Sequence, residues 1–381
     1  MKIGIIGYGA RIGKDIIPEL LKIDSTLIIK AVTDISPDKV KVIMNDTGVD
    51  CNKVTFYTCA DEMIANEELD GILVGTRCSL HTQMAIKVMK AGIPLYLEKP
   101  VATNIEDLRR LRQAHLETQS KVIVSFPLRM TPMVQFAKEL IDGGRIGTVE
   151  HVQAVNNVAY GGVYFHHWYR DDKETGGLFI QKATHDFDYI NYLVDINPVR
   201  ICAMKSKQIY GGDKPAGLKC VDCNEQESCE ESPFFLNNQA FGPVMGEWCC
   251  FARDAGNEDS SSALIEYESG MHACYSQNFF VKKASEKRGA RLMGYKGTIE
   301  FDWCTHEMKV YMHHTPRIET YKFDDKGAHG GGDWQLAYSF YNMMKGKTES
   351  VAPLDAGLIS TLMCLRAKES AETRMFKDIV Y

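Results

Sequence analysis

Three stretches of the sequence carry groups that can bind an anion or move a proton, and a fourth places an acid where a nucleotide needs one. Gly7-Tyr8-Gly9-Ala10-Arg11-Ile12-Gly13 follows the apolar run Lys2 to Ile6 and opens helical spacing at Ile12, Ile16, Ile17, Leu20 and Leu21. Glycines between a strand and a helix permit a tight turn and let the backbone approach a pyrophosphate, whose charge meets the unpaired N–H groups of the helix start. The spacing G-x-G-x-x-x-G is one residue off the usual one, so the packing role of a third glycine falls to Ile12 or Gly13. Asp34 ends the next apolar run, Leu27 to Thr33. An acid there accepts both ribose hydroxyls and repels a 2′-phosphate, which predicts NAD; Lys39 and Lys41 would serve NADP if the loop bends. Glu98-Lys99-Pro100 follows the fifth apolar run, where a Lys points into a crevice at the carboxyl end of a parallel sheet. Helical three- and four-residue steps put Lys182, His185 and Tyr189 on one side, with Asp188 three residues beyond His185. A His bracketed by Lys and Asp can have its proton affinity set near neutrality, as a general acid–base requires.

A cluster of cysteines has two readings. Cys220-Val221-Asp222-Cys223, then Cys229 and the pair Cys249-Cys250, give C-x2-C-x5-C plus a distant pair. Cys220, Cys223 and Cys229 with Cys250 would suit a tetrahedral structural zinc stapling an insertion over residues 210–250. The alternative is free thiols in a loop. A redox role is disfavoured, because thioredoxin-type pairs sit at a helix start in another context.

The elements that must position these residues fall into two regions, as 381 residues at roughly 150 per domain predict. Residues 1–126 alternate short apolar strands with amphipathic helices, which means an α/β domain whose parallel sheet is covered on both faces. Residues 127–381 read as an α+β domain with a large, mainly antiparallel sheet. Its strands are expected near 148–158, 200–206, 263–268, 271–280, 288–293 and 298–301. Helices are expected near 132–141, 178–193, 334–345 and 355–372, the last packing back toward the first domain. Hydrophobic residues at 45% and charged residues at 25% exclude disordered and fibrous classes. With 44 Lys plus Arg against 50 Asp plus Glu, no basic surplus exists for a nucleic-acid partner. No apolar run reaches about 18 residues, so no membrane span is expected. The N-terminal run is too short for a signal peptide, which predicts a cytoplasmic protein whose twelve cysteines are reduced thiols or metal ligands.

The sequence resembles the Gfo/Idh/MocA oxidoreductases over nearly its whole length. The marks are Ile3-Gly4-Ile5-Ile6-Gly7-Tyr8-Gly9, His81, Ala91-Gly92, Glu98-Lys99-Pro100, Arg129, Gly144-Arg145-Ile146-Gly147, Gly176-Gly177 and His185. The resemblance implies a Rossmann domain followed by a domain whose open sheet forms homodimer or homotetramer contacts. It implies that Gly7 to Ile12, Asp34, Thr76, Arg77, His81, Glu98, Lys99, Pro100 and Arg129 border the cofactor, and that Lys99 and His185 flank the substrate carbon facing the nicotinamide. Many members carry an acid or amide-type residue, often Asp, four positions before the His; here Gln181 stands there, beside Lys182. The Lys-x-x-His-Asp pattern, Trp168-Tyr169-Arg170 and the stretch His329 to Asp333 are closer to a subgroup.

The chemistry expected is oxidation of a secondary alcohol on a sugar, cyclitol or glycoside. His185 is expected to take the hydroxyl proton, and Lys99 to stabilise the developing alkoxide and position the substrate. Lys182 is a second cation or the group that lowers the affinity of His185, so the division of labour among the three stays open. Arg129, His166, Trp168 and His329 would line the pocket, since polar groups and an aromatic face suit a polyol; each also reads as a loop or packing residue. Two other functions fit the same residues: an NAD-dependent glycosidase working by transient oxidation, and a non-catalytic nucleotide-binding regulator.

Overall fold

The computed structural model describes residues 1–238, 246–324 and 328–381. Its first sheet has six strands: β1 (Lys2–Ile6), β2 (Ile28–Thr33), β3 (Thr55–Tyr57), β4 (Gly71–Val74), β5 (Leu95–Leu97) and β6 (Val122–Val124). They pair in the order β3-β2-β1-β4-β5-β6, every pair parallel. The order reverses between β1 and β4, and their carboxyl ends open a crevice there. β4, β5 and β6 are buried at every residue, because helices cover both faces and leave no wet side for alternation.

The second sheet has nine strands: β7 (Val149–Asn157), β8 (Pro198–Ser206), β9 (Ser260–Tyr267), β10 (His272–Asn278), β11 (Lys287–Gly294), β12 (Gly297–Asp302), β13 (Glu307–Met312), β14 (Ile318–Lys322) and β15 (Lys377–Asp378). Their order is β14-β13-β12-β11-β7-β10-β9-β8-β15, antiparallel except for β7 with β10. One face packs under helices and the other is open. β9 shows the consequence: Ser261, Ala263, Ile265 and Tyr267 are buried while Ser262 and Leu264 face outward. β13, β14 and β15 were not among the expected strands. β14 has no buried residue and β13 only two, so no clean alternation of apolar and polar residues marks these strands near the sheet's rim.

The helix Leu354–Thr373 lies against β8 and also against β6 and the helix Ile105–Thr118. Gly357 makes that approach close, since a Cβ there would stand 2.8 Å from Val101 and 3.0 Å from Val124. The helix Gly332–Met344 likewise packs on the helix Ile17–Ile23. Part of the expected insertion, residues 239–245, lies outside the described residues. Among the described residues no helix is long and apolar enough to cross a membrane.

Candidate active site

The glycine loop sits at the mouth of the crevice. Gly7 has φ +82°, and a Cβ there would stand 2.6 Å from the Thr76 nitrogen, so only glycine lets the first turn run this close to the loop after β4. A Cβ on Gly9 would meet nothing nearer than the Gly75 oxygen at 3.9 Å, leaving open space above the loop. Gly13 takes the packing role: a Cβ there would press on Tyr8 and Ile43, while Ile12 fills the space over Gly75. Asp34 is held by its own ends, accepting from the Tyr8 amide at 2.9 Å and the Ser36 amide at 2.8 Å. Open space over small residues, a helix beginning at Arg11 and a fixed carboxylate at the end of β2 fit an NAD pyrophosphate and ribose.

Glu98-Lys99-Pro100 leaves β5 at the same crevice. Glu98 is buried and accepts from Arg11 Nε at 3.2 Å, so its carboxylate braces the glycine-loop helix. Lys99 reaches across to the second domain and donates from Nζ to the Gln181 carbonyl oxygen at 2.8 Å. That carbonyl lies in Phe179–Ala183, a π-helical turn preceding the α-helix Thr184–Val194. A π-turn shifts the hydrogen-bond ladder by one residue, and such turns recur at functional sites. Burial first, and then the charge of Lys182, pull the Lys99 ammonium down to about 8.

His185 is 8% exposed and packs edge-on to Phe126, with His329 on its other side at 6.5 Å between centroids. Its affinity for a proton falls well below the ordinary imidazole value, through burial and then the charges of Lys99, Arg288, His329 and Lys182. Such a ring stays neutral and holds a proton weakly. Lys182 is 5% exposed and donates to the Tyr160 hydroxyl. His329, at φ +47°, donates from Nδ1 to Asp333 at 2.8 Å, and the same carboxylate accepts from Arg11. Lys99, Lys182, His185 and His329 therefore lie together where the end of β5 meets the helix Thr184–Val194.

Over residues 1–126 the chain matches the family described as an oxidoreductase family with an NAD-binding Rossmann fold, GFO_IDH_MocA, and over residues 134–300 the GFO/IDH/MocA C-terminal domain. The chain belongs to the GFO/IDH/MocA oxidoreductase family. It is 26% identical over 307 residues to inositol 2-dehydrogenase of Rhizobium meliloti, covering 78% of this chain and 74% of that one. With YteT of Bacillus subtilis it shares 27% over 312 residues, 72% of each chain. Its fold matches levoglucosan dehydrogenase in complex with NADH and levoglucosan, with a TM-score of 0.79 at 16% identity over 100% of both chains. The chain is thus an NAD-binding oxidoreductase of the GFO/IDH/MocA family.

Within this family frame several expected site residues do other work. The Arg129 guanidinium is taken up by partners in the second domain. Its Nε donates to Asp188 at 2.9 Å, Nη2 makes a second, shorter bond to the same carboxylate, and Nη1 donates to the Val351 oxygen, all behind Phe126. Asp188 is therefore committed to Arg129 and does not tune His185. His166 is 1% exposed beneath the cysteine-rich insertion, with Nδ1 2.6 Å from the Trp248 oxygen and its backbone oxygen receiving the Glu247 and Trp248 amides. It holds that insertion down rather than lining the pocket.

The guanidinium of Arg11 is spent on Glu98, Asp15 and Asp333, which leaves Ala10 and Arg11 only backbone groups to offer a cofactor. His81 braces the loops, its Nδ1 at 2.7 Å from the Pro100 oxygen and its Nε2 at 3.1 Å from the Thr76 oxygen. Arg77 lies over the Trp168 ring at 3.7 Å, and Trp168 stacks on Tyr169, so this aromatic shelf joins the two domains beside the cleft.

The zinc expectation is not supported. Among the described residues no group of three or more His, Cys, Asp or Glu is arranged to hold a metal ion. Cys250 instead packs in a small apolar core with Phe165, Leu178, Tyr210 and Phe279, and the Cys220 thiol is 3.8 Å from the Trp248 oxygen. Cys220, Cys223 and Cys229 are free thiols.

Sequence reasoning missed three residues of the site. Asp186 is fully buried and accepts from Asn156 at 2.7 Å, Tyr275 at 2.7 Å and Arg288 at 2.9 and 2.8 Å. Arg288 and Tyr160 reach the helix from β11 and from the turn after β7, through strand pairing that no local spacing reveals.

Proposed function

We propose that the protein oxidises a secondary alcohol of a sugar, cyclitol or glycoside. What carries this reading is Lys99: a partly buried ammonium at the end of β5, beside a neutral His185 and within the field of Lys182, directly at the crevice that the glycine loop opens. Gly7, Gly9 and the helix start at Arg11 would hold the pyrophosphate, and Asp34 the adenosine ribose. When bound, NAD+ supplies the hydride acceptor. Lys99 holds the reacting hydroxyl and stabilises negative charge as it develops on that oxygen. His185 bonds a neighbouring hydroxyl as a neutral ring, and the Arg77–Trp168–Tyr169 stack borders the substrate.

The names of two relatives, inositol 2-dehydrogenase and levoglucosan dehydrogenase, point to the same substrate class. Asp34 favours NAD over NADP, and Lys41 is engaged by Asp38 and the Phe56 ring. We also place the protein in the cytoplasm, as a homodimer or homotetramer joined through the open face of the nine-stranded sheet.

The test is absorbance of NADH over a panel of inositols, monosaccharides and anhydro sugars, repeated with NADP. NADH formation with at least one polyol, and a weaker response with NADP, are expected. Hydrolysis of a glycoside without net NADH would replace this reading by the glycosidase one; tight NAD binding with neither reaction would leave the regulator.

A further inference from the structure

We propose that the Tyr160 phenol, ionised against the Lys182 ammonium, takes the hydroxyl proton of the substrate. The inference rests on the alcohol-oxidising reading above and deepens it. Tyr160 occupies the turn that leaves β7, in Tyr160-Gly161-Gly162. Gly161 lets that turn press against the end of β10: a Cβ there would stand 1.9 Å from the Phe279 oxygen. The turn delivers the Tyr160 hydroxyl to Lys182, whose Nζ donates to it and lies 4.6 Å from the Tyr160 ring centre and 5.3 Å from that of Tyr164.

Among the described residues no carboxylate stands within ion-pair distance of Lys182, although it is 5% exposed. A buried ammonium needs a counter-charge, and the one ionisable group it bonds is the Tyr160 phenol. The other charged and titratable groups facing Tyr160 are Arg288 from β11, Asp186 from the helix, and the phenols of Tyr164 and Tyr169. Arg288 is paired with Asp186, whose charge opposes it at the phenol, which leaves Lys182 as the cation in direct contact with the Tyr160 hydroxyl. Partial loss of water at the hydroxyl raises the phenol, yet the charges of Lys182 and then Arg288 bring it below its ordinary value.

The competing acceptors are weaker. His185 is surrounded by cations, and Lys99 is an ammonium below about 8 and so has no free pair to offer at neutral pH. In the step, the substrate O–H bond breaks and its proton forms the Tyr160 O–H bond. The carbinol carbon gives up its hydrogen with the C–H electron pair to NAD+, and the carbon–oxygen double bond forms. Tyr160 is 48% exposed, so the proton then passes to water.

Two measurements on the full-length protein test this. The first is an ultraviolet titration of tyrosinate without cofactor, comparing the wild type, Tyr160→Phe, Lys182→Met and Lys182→Arg. One tyrosine is expected to ionise below its ordinary value, to vanish in Tyr160→Phe, to move upward in Lys182→Met and to return in Lys182→Arg. The second is the pH dependence of kcat with a polyol that the wild type oxidises. Tyr160→Phe should lose about 10²- to 10⁴-fold in kcat together with the acidic limb of the profile. A Tyr160 that titrates at or above its ordinary value, or a Tyr160→Phe enzyme within a few-fold of wild type, overturns the proposal. If no polyol is oxidised, the substrate reading fails, and the titration still decides the state of Tyr160.

Discussion

At the scale of single residues, the cleft holds cations more closely than solvent alone would allow. Lys99 is the clearest case. Its ammonium is drawn down to about 8, chiefly by burial, so the folded protein binds its proton less tightly than the unfolded chain does. The cost of that buried charge is present below about pH 8 and is relieved as pH rises toward the ordinary lysine value. Lys99→Met should therefore raise stability at neutral pH by about 2 kcal/mol, read from thermal unfolding, while cutting kcat by about 10²-fold or more. Wild-type kcat should fall as pH climbs through about 8, because the cationic form is the one that stabilises the alkoxide. Lys99 and the glycine loop were readable from the sequence because their chemistry is local: a Lys at a strand end and glycines at a strand-to-helix turn. Asp188 was misread for the same reason. Its three-residue step from His185 is real, but a buried Arg from another helix claims it.

At the scale of elements, the helix Thr184–Val194 serves three neighbours in turn. His185 faces the cleft, Asp186 the sheet through Arg288, Asn156 and Tyr275, and Asp188 the Arg129 bracket. Helix periodicity could place these residues on different faces without naming what each face meets, since the partners come from β7, β10 and β11. Arg288→Met leaves the Asp186 carboxylate fully buried without its cation, and should destabilise the protein by about 3–5 kcal/mol in urea unfolding. Loss of kcat should accompany it, because the same ion pair fixes the helix that carries His185 and Lys182. The first sheet was legible strand by strand, whereas β13 and β14 were not: β14 buries no residue and β13 only Met308 and Val310, and hydropathy carries the signal only where one face is clearly dry. The cysteine spacing misled because C-x2-C-x5-C is also what a loop held by buried thiols and backbone bonds looks like.

At the scale of the molecule, the two domains are tied by chain that returns from the far end. Arg11 in the first domain bonds Asp333 and Glu98, and His329 shares Asp333. Burial raises the Asp333 carboxyl, but the bonds from Arg11 and His329 outweigh it and hold it at about 2. A folded value below the unfolded one means stability that is present above the ordinary carboxyl range and is lost as pH falls toward 2, here about 2 kcal/mol. Asp333→Asn should lose that contribution and flatten the acid limb of a stability-against-pH curve. The account as a whole rests on where a bound nicotinamide lies. A crystal structure with NAD and a polyol inhibitor tests it most directly. The expected result is the nicotinamide ring in the cleft, with the polyol hydroxyl within hydrogen-bond reach of Lys99 Nζ and the Tyr160 hydroxyl. A ring lodged away from both groups, or a polyol bound outside this cleft, would contradict it.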